Sequence, residues 1–266
     1  MIKEMVNKKI KDGYSLRDAQ NVVAEEIIIN KIASSELVEH VTFKGGIVMY
    51  NLSKNNRRVT QDVDFDLIRY SIDKDSIRLL IDKMNRINDG FMVTIKEPIE
   101  DLHQDDYKGV RVNVVIKDIN NDILKLKLDI GVHTYLAIEQ TKMTFAFSLN
   151  KEKLTVTANP PEQVFAEKLI SLARHGALST RYKDLYDFYY LINNYNLSPK
   201  RVTSILELFF SNSAKRPNSV TDLQNAIEET LNNERFIKEA SKPASKWIDV
   251  DFATIKQTLI DFINHL

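Results

Sequence analysis

"FKGGIVMYNLSKNNRRVTQDVDFD", residues 43–66, decides how the rest of the chain is read. It sets two of the chain's seven glycines, Gly45 and Gly46, side by side, and sixteen positions later places Asp62, Asp64 and Asp66 at alternate positions. In an extended strand the three acids project to one side and Val63, Phe65 and Leu67 to the other. The apolar three can pack against helices. The acids must face solvent or a cation, because a buried carboxylate without a partner is very costly. Closely spaced carboxylates suit Mg²⁺, which prefers oxygen ligands and keeps waters and substrate phosphates as the rest of its shell. A strand with acids on its wet face would read the same way, so the D-x-D pattern alone leaves both open. The glycine pair is equally two-sided. It is either a simple tight turn, or a turn opening a helix whose N–H groups meet a phosphate.

Around this stretch the bulk properties are ordinary for a globular protein. The 266 residues can bury a real core in one large or two modest domains. Lys plus Arg equals Asp plus Glu at 37 each, so a polyanionic partner would have to use a local basic patch. Without cysteine there is no disulfide framework, thiolate zinc site or cysteine nucleophile. The opening residues lack the apolar core of a signal peptide, and no apolar run approaches a membrane span, so a cytoplasmic protein without membrane contact is expected.

Outward from residues 43–66, the pattern predicts an α+β chain. "SLRDAQNVVAEEIIINKIASSEL" reads as a helix capped by Ser15, "HVTFKGG" as a short strand ending in the glycine turn, and "DKDSIRLLIDKMNRIND" as a helix. "FMVTIKE", "GVRVNVVIK" and "ILKLKLDIGV" read as strands, the last two as a hairpin. In the last, Leu124, Leu126, Leu128 and Ile130 share one face and Lys125, Lys127 and Asp129 the other. Pro160 and Pro161 mark a break, and five helical segments follow. The expected domains are 1–158, mixed α/β with an N-terminal helix, and 159–266, helical.

Three further features could carry chemistry. Asp129 is either a third carboxylate beside Asp62 and Asp64 or the partner of Lys127 or Arg111. Glu167 and Lys168 interrupt an otherwise apolar helix, "VFAEKLISLA". Such a lysine either meets a phosphate or snorkels to solvent. Asp184 and Asp187 lie one turn apart on one helix face. The histidines at 40, 103, 133, 175 and 265 show no ligand spacing.

Taken in order, "FKGGIVMYNL", "RVTQDVDFD", "LKLDIGV", "PPEQVFAEKLISLARH" and "RYKDLYDFYYL" resemble the AbiEii/AbiGii nucleotidyltransferase toxins, within the polymerase β-like nucleotidyltransferase superfamily. The likeness covers Phe43 to Leu191 and leaves the helices after Tyr195 outside it. It implies a polymerase β-like mixed-sheet domain followed by a helical bundle that contributes a lysine and an acid to the active site. It implies a bacterial toxin of toxin–antitoxin and abortive-infection (phage defence) systems, moving NMP from NTP with Mg²⁺, or Mn²⁺ in its place. By its motifs, Gly45, Gly46, Arg58, Thr60 and Lys168 meet the nucleotide. Asp62, Asp64 and Asp129 meet metal, and Asp62, Asp64, Lys168 and Asp184 carry the reaction. Ile47 stands where the family commonly has Thr, Thr60 where it often has Ser, and Asp66 falls outside the metal pair. The implied acceptor is RNA, with the tRNA 3′ end foremost, and a cognate antitoxin is the implied partner. Basic stretches at 7–11, 54–58 and 174–183 are candidate backbone contacts. The competing expectations are transfer to a protein or a small molecule such as an antibiotic, and a non-catalytic binding module of the same fold. Oligomeric state is not legible.

Overall fold

The computed structural model describes residues 1–104, 107–148 and 153–266; the side chains of residues 103, 104 and 107, and so the His103 ring, lie outside that description. The chain gathers into two compact units, Met1–Asn159 and Pro160–Leu266.

The first unit runs α1 (Ile2–Lys11), α2 (Leu16–Ala33), β1 (Val41–Lys44), α3 (Gly45–Ser53), β2 (Asp62–Leu67) and α4 (Lys74–Asn85). It continues through β3 (Phe91–Gln104), β4 (Tyr107–Asp118), β5 (Ile123–Val132), β6 (Thr141–Ala146) and β7 (Lys153–Ala158). The strands form one sheet in the order β3-β4-β5-β2-β1-β7-β6. The sheet is mixed: β1 with β7 and β2 with β5 are parallel, and the other neighbours are antiparallel.

Alternation along the strands produces the two faces. Val63, Phe65 and Leu67 are fully buried, and β5 alternates buried leucines with exposed lysines as its sequence predicts. Helices α2 and α4 pack on the buried face, against β5, β7 and β3. Ser15 caps α2 by accepting the Asp18 N–H. Ile27, Ile28, Ile29 and Ile32 of α2 are almost wholly withdrawn from water, each such burial contributing about 1.5–3 kcal/mol. Phe43, on β1, lies opposite Phe65 and contacts the Phe145 ring on β6. β3 continues past Pro98 through a register shift between Lys96 and Glu100, because proline cannot donate to the ladder. Two strands, "TKMTFA" and "KLTVTA", go beyond the sequence reading.

The second unit contains α5 (Pro161–His175), α6 (Lys183–Asn194), α7 (Pro199–Ser211), α8 (Val220–Asn232), α9 (Glu234–Ala240) and α10 (Phe252–Ile263). Pro161 and Pro199 occupy first turns, where the missing N–H costs nothing. The Phe165 ring meets Phe188 at 5.1 Å and Phe262 at 4.8 Å. The buried Tyr186 hydroxyl donates to the Ala240 carbonyl at 3.1 Å. The seven-residue α9 was not anticipated. The α+β class with a helical C-terminal region is therefore observed. No helix among the described residues is long and apolar enough to cross a membrane.

Candidate active site

Strand order puts β2 between β1 and β5, so Asp64 and Asp66 have strand neighbours on both sides and Asp62 on the β5 side. Asp64 lies opposite Lys44 on β1 and Asp129 on β5; Asp62 lies opposite Lys127. The triplet splits. Asp66 is buried, and the Lys44 ammonium meets it at 2.7 Å, so its cation comes from within the chain. Asp129 accepts a two-pronged contact from Arg111, at 2.8 and 2.7 Å, which raises the pKa of the guanidinium. Of the alternatives open for Asp129, an ion pair with Arg111 is the one observed. Asp62 is different. Its Oδ1 is buried without a hydrogen-bond partner, with the Lys127 Nζ 3.9 Å away. Burial pushes the Asp62 pKa up; Lys127 opposes that rise and Asp129 adds to it.

A buried carboxylate oxygen without a partner is a place that a hard cation would satisfy. Asp62 and Asp64 together therefore fit a divalent metal. Among the described residues no group of three or more His, Cys, Asp or Glu is arranged to hold one. The expected trio of Asp62, Asp64 and Asp129 is not assembled, because Arg111 occupies both oxygens of Asp129.

The glycine pair lies against these acids. Gly45 opens α3 at φ +65, and a Cβ there would sit 2.5 Å from Asp64 Oδ2. A Cβ on Gly46 would sit 2.6 Å from Thr60 Oγ1. Only glycine lets the start of α3 approach β2 and its preceding turn so closely. Thr60 donates to the Asp62 carbonyl at 3.3 Å, and Arg58 is buried at the end of a single turn over Asn56–Arg58. Ile47 is fully buried, so the place where the family carries a hydroxyl faces the core in this chain.

In the second unit, Lys168 on α5 is 4% exposed and does not snorkel. Its Nζ meets Asp184 Oδ1 at 2.5 Å and Asp187 Oδ2 at 2.9 Å, and Arg181 Nε donates to Asp184 Oδ2 at 2.9 Å. The two acids of "YKDLYD" both hold the lysine. Glu167 accepts from Gln163 at 2.9 Å. The buried His133, its pKa lowered by burial, and His175, bonded to the Ser171 carbonyl, join no ligand group. Lys44, which holds Asp66, was not singled out in the sequence. Its signal is its position just before the glycine pair, one strand from the acids.

A family model described as nucleotidyl transferase AbiEii toxin, type IV TA system, matches residues 27–262. The match reaches well past Tyr195, so the C-terminal helices, expected to lie outside the likeness, are part of the family's pattern. A comparison with curated proteins finds no match. Among solved structures, the chain is similar to an antigenic nucleotidyltransferase-like protein from Paracoccidioides brasiliensis. The two share 14% identity over 83% of this chain and 90% of that chain, with a TM-score of 0.38, too slight a likeness to bear on the fold.

Proposed function

Since this chain belongs to the AbiEii nucleotidyl transferase toxin family of type IV toxin–antitoxin systems, and is a nucleotidyltransferase, we propose that it transfers NMP from an NTP to the 3′ end of tRNA, releasing pyrophosphate. The observation that carries the reading is the Asp62–Asp64 pair behind the glycine cradle, with one buried carboxylate oxygen unsatisfied. Asp62 and Asp64 would hold Mg²⁺, or Mn²⁺ in its place; Asp129 would join them only on release from Arg111. When bound, the metal neutralises phosphate charge and favours ionisation of the attacking hydroxyl.

The chain's own residues do the positioning. The N–H groups at the start of α3, with the positive end of its dipole, face the phosphates in this reading. Gly45 and Gly46 make room for them, Thr60 is bonded to the Asp62 carbonyl, and by the family motif Thr60 and the buried Arg58 meet the nucleotide. By the family motif, Lys168 and Asp184 of the helical unit serve the same reaction, with Asp187 as a second anchor of the lysine. Catalysis of this kind is mostly orientation and electrostatics. A cytoplasmic site of action follows from NTP and tRNA as substrates, and a cognate antitoxin would restrain the activity.

The test is incubation of the purified protein with each α-labelled NTP, Mg²⁺ or Mn²⁺, and total RNA. Label should enter RNA with the parent and not with Asp64→Ala. No label in any acceptor refutes the reading; label in protein or a small molecule moves the acceptor and keeps the chemistry.

A further inference from the structure

A cleft of about 500 Å³ opens in the first unit next to Asp62, lined among others by Arg17, Asn21, Lys96, Asn113, Lys125 and Lys127. The strand registers explain why these residues meet. Lys96 on β3 lies opposite Asn113 on β4, Asn113 opposite Lys127 on β5, and Lys127 opposite Asp62 on β2. They form one row across four neighbouring strands of the polar face. At about 4.8 Å between strands, the row runs roughly 14 Å from Lys96 to Asp62.

The charges left over in the cleft are mostly positive, with the exposed Glu100 the one carboxylate among them that no ion pair engages among the described residues. Lys96 and Lys125 are exposed and make no ion pair among the described residues, whereas Glu97 at the rim is engaged by Arg78 at 3.1 Å. Asn21 Nδ2 is a buried donor without a partner, and Arg17 donates to Gln61 at 2.8 Å. We infer that this cleft binds the phosphate backbone of a single-stranded RNA end and leads it to Asp62. The inference rests on the RNA-acceptor reading above. A stacked strand carries a charge about every 3.4 Å, so a row of this length matches several phosphates rather than one. Among the described residues lining the cleft there is no aromatic ring on which a base could stack, so contact is to phosphates and insensitive to sequence. None of the basic stretches singled out in the sequence includes these lysines, because they come together only once the strands are in register.

The experiment is fluorescence anisotropy of an end-labelled single-stranded RNA with the full chain, its Lys96→Ala/Lys125→Ala variant and a Lys74→Ala control on α4, titrated with salt. A fluorescent NTP analogue is titrated in parallel. The double variant should bind RNA about tenfold more weakly, with the slope of log K against log salt shallower by about 1.4, from about 0.7 per lost phosphate contact. The control and NTP binding should be unchanged, and melting should match the parent because both lysines are exposed. Unchanged RNA affinity and slope in the double variant, no RNA binding by the parent, or a loss confined to the NTP each overturns the assignment. If binding depends on the two lysines but the parent transfers nothing to RNA, the acceptor reading fails and the polyanion cleft stands.

Discussion

Lys168→Met separates holding the fold from carrying the reaction. In the parent, the ammonium sits between two carboxylates that are 8% and 0% exposed, Asp184 and Asp187. After substitution Asp184 keeps Arg181, at 2.9 Å, while Asp187 loses the ammonium 2.9 Å away in a place that water does not reach. Removing one partner of a buried pair costs about 3–5 kcal/mol, because the remaining charge stays desolvated. For a chain of this size each kcal/mol is worth about 2–4 °C, so melting should fall by roughly 6–20 °C. Adding Asp187→Asn to Lys168→Met removes the buried negative charge that faced the ammonium and should recover part of the loss. Circular dichroism melting of the single and double variants at neutral pH reads both effects. Melting of Lys168→Met within about 2 °C of the parent would mean an exposed lysine and would refute the buried cluster. Transfer activity is then compared only at temperatures where the variant is folded.

The remaining predictions concern the first unit. Gly45→Ala places a side chain at positive φ, costing about 1–2 kcal/mol, and drives its Cβ to 2.5 Å from Asp64 Oδ2. Transfer should fall at least tenfold at a temperature where the variant is folded, and unchanged rates would discard the cradle. Asp66→Asn breaks the 2.7 Å contact with Lys44 and should lower melting while sparing transfer; a folded, inactive variant would return Asp66 to the site. Glu25 on α2 is wholly buried with an unpartnered Oε1, and burial, then Glu26 and Asp64, holds its pKa well above the carboxylate range. A raised folded pKa gives stability that is complete below the unfolded value, about 4.5, and lost as pH rises through the folded one. Glu25→Gln should therefore melt like the parent near pH 4 and above it at pH 8; the same difference at both pH values would contradict this.

What could be read from the chain follows how local each signal is. The alternation in "DVDFDLI" and "ILKLKLDIGV" and the Ser15 cap are set within a few residues, and the structure carries all three. "TKMTFA" alternates too, with Met143 and Phe145 buried, but the run is short and threonine-rich, so its period is a weak signal. Pairings between strands were beyond reach. Asp129 could have met Lys127 two residues away or Arg111 on the next strand, and only the register that sets Arg111 opposite Asp129 decides it. The Lys44–Asp66 contact and the lysine row beside Asp62 depend in the same way on which strands become neighbours.

The most direct test of the central claim is sequencing of RNA 3′ ends from cells expressing the protein or its Asp62→Ala variant, with the two held at equal levels. The account predicts untemplated nucleotides on tRNA 3′ ends with the parent and none with the variant. Identical 3′ ends in the two, or additions that persist without the Asp62 carboxylate, would contradict it.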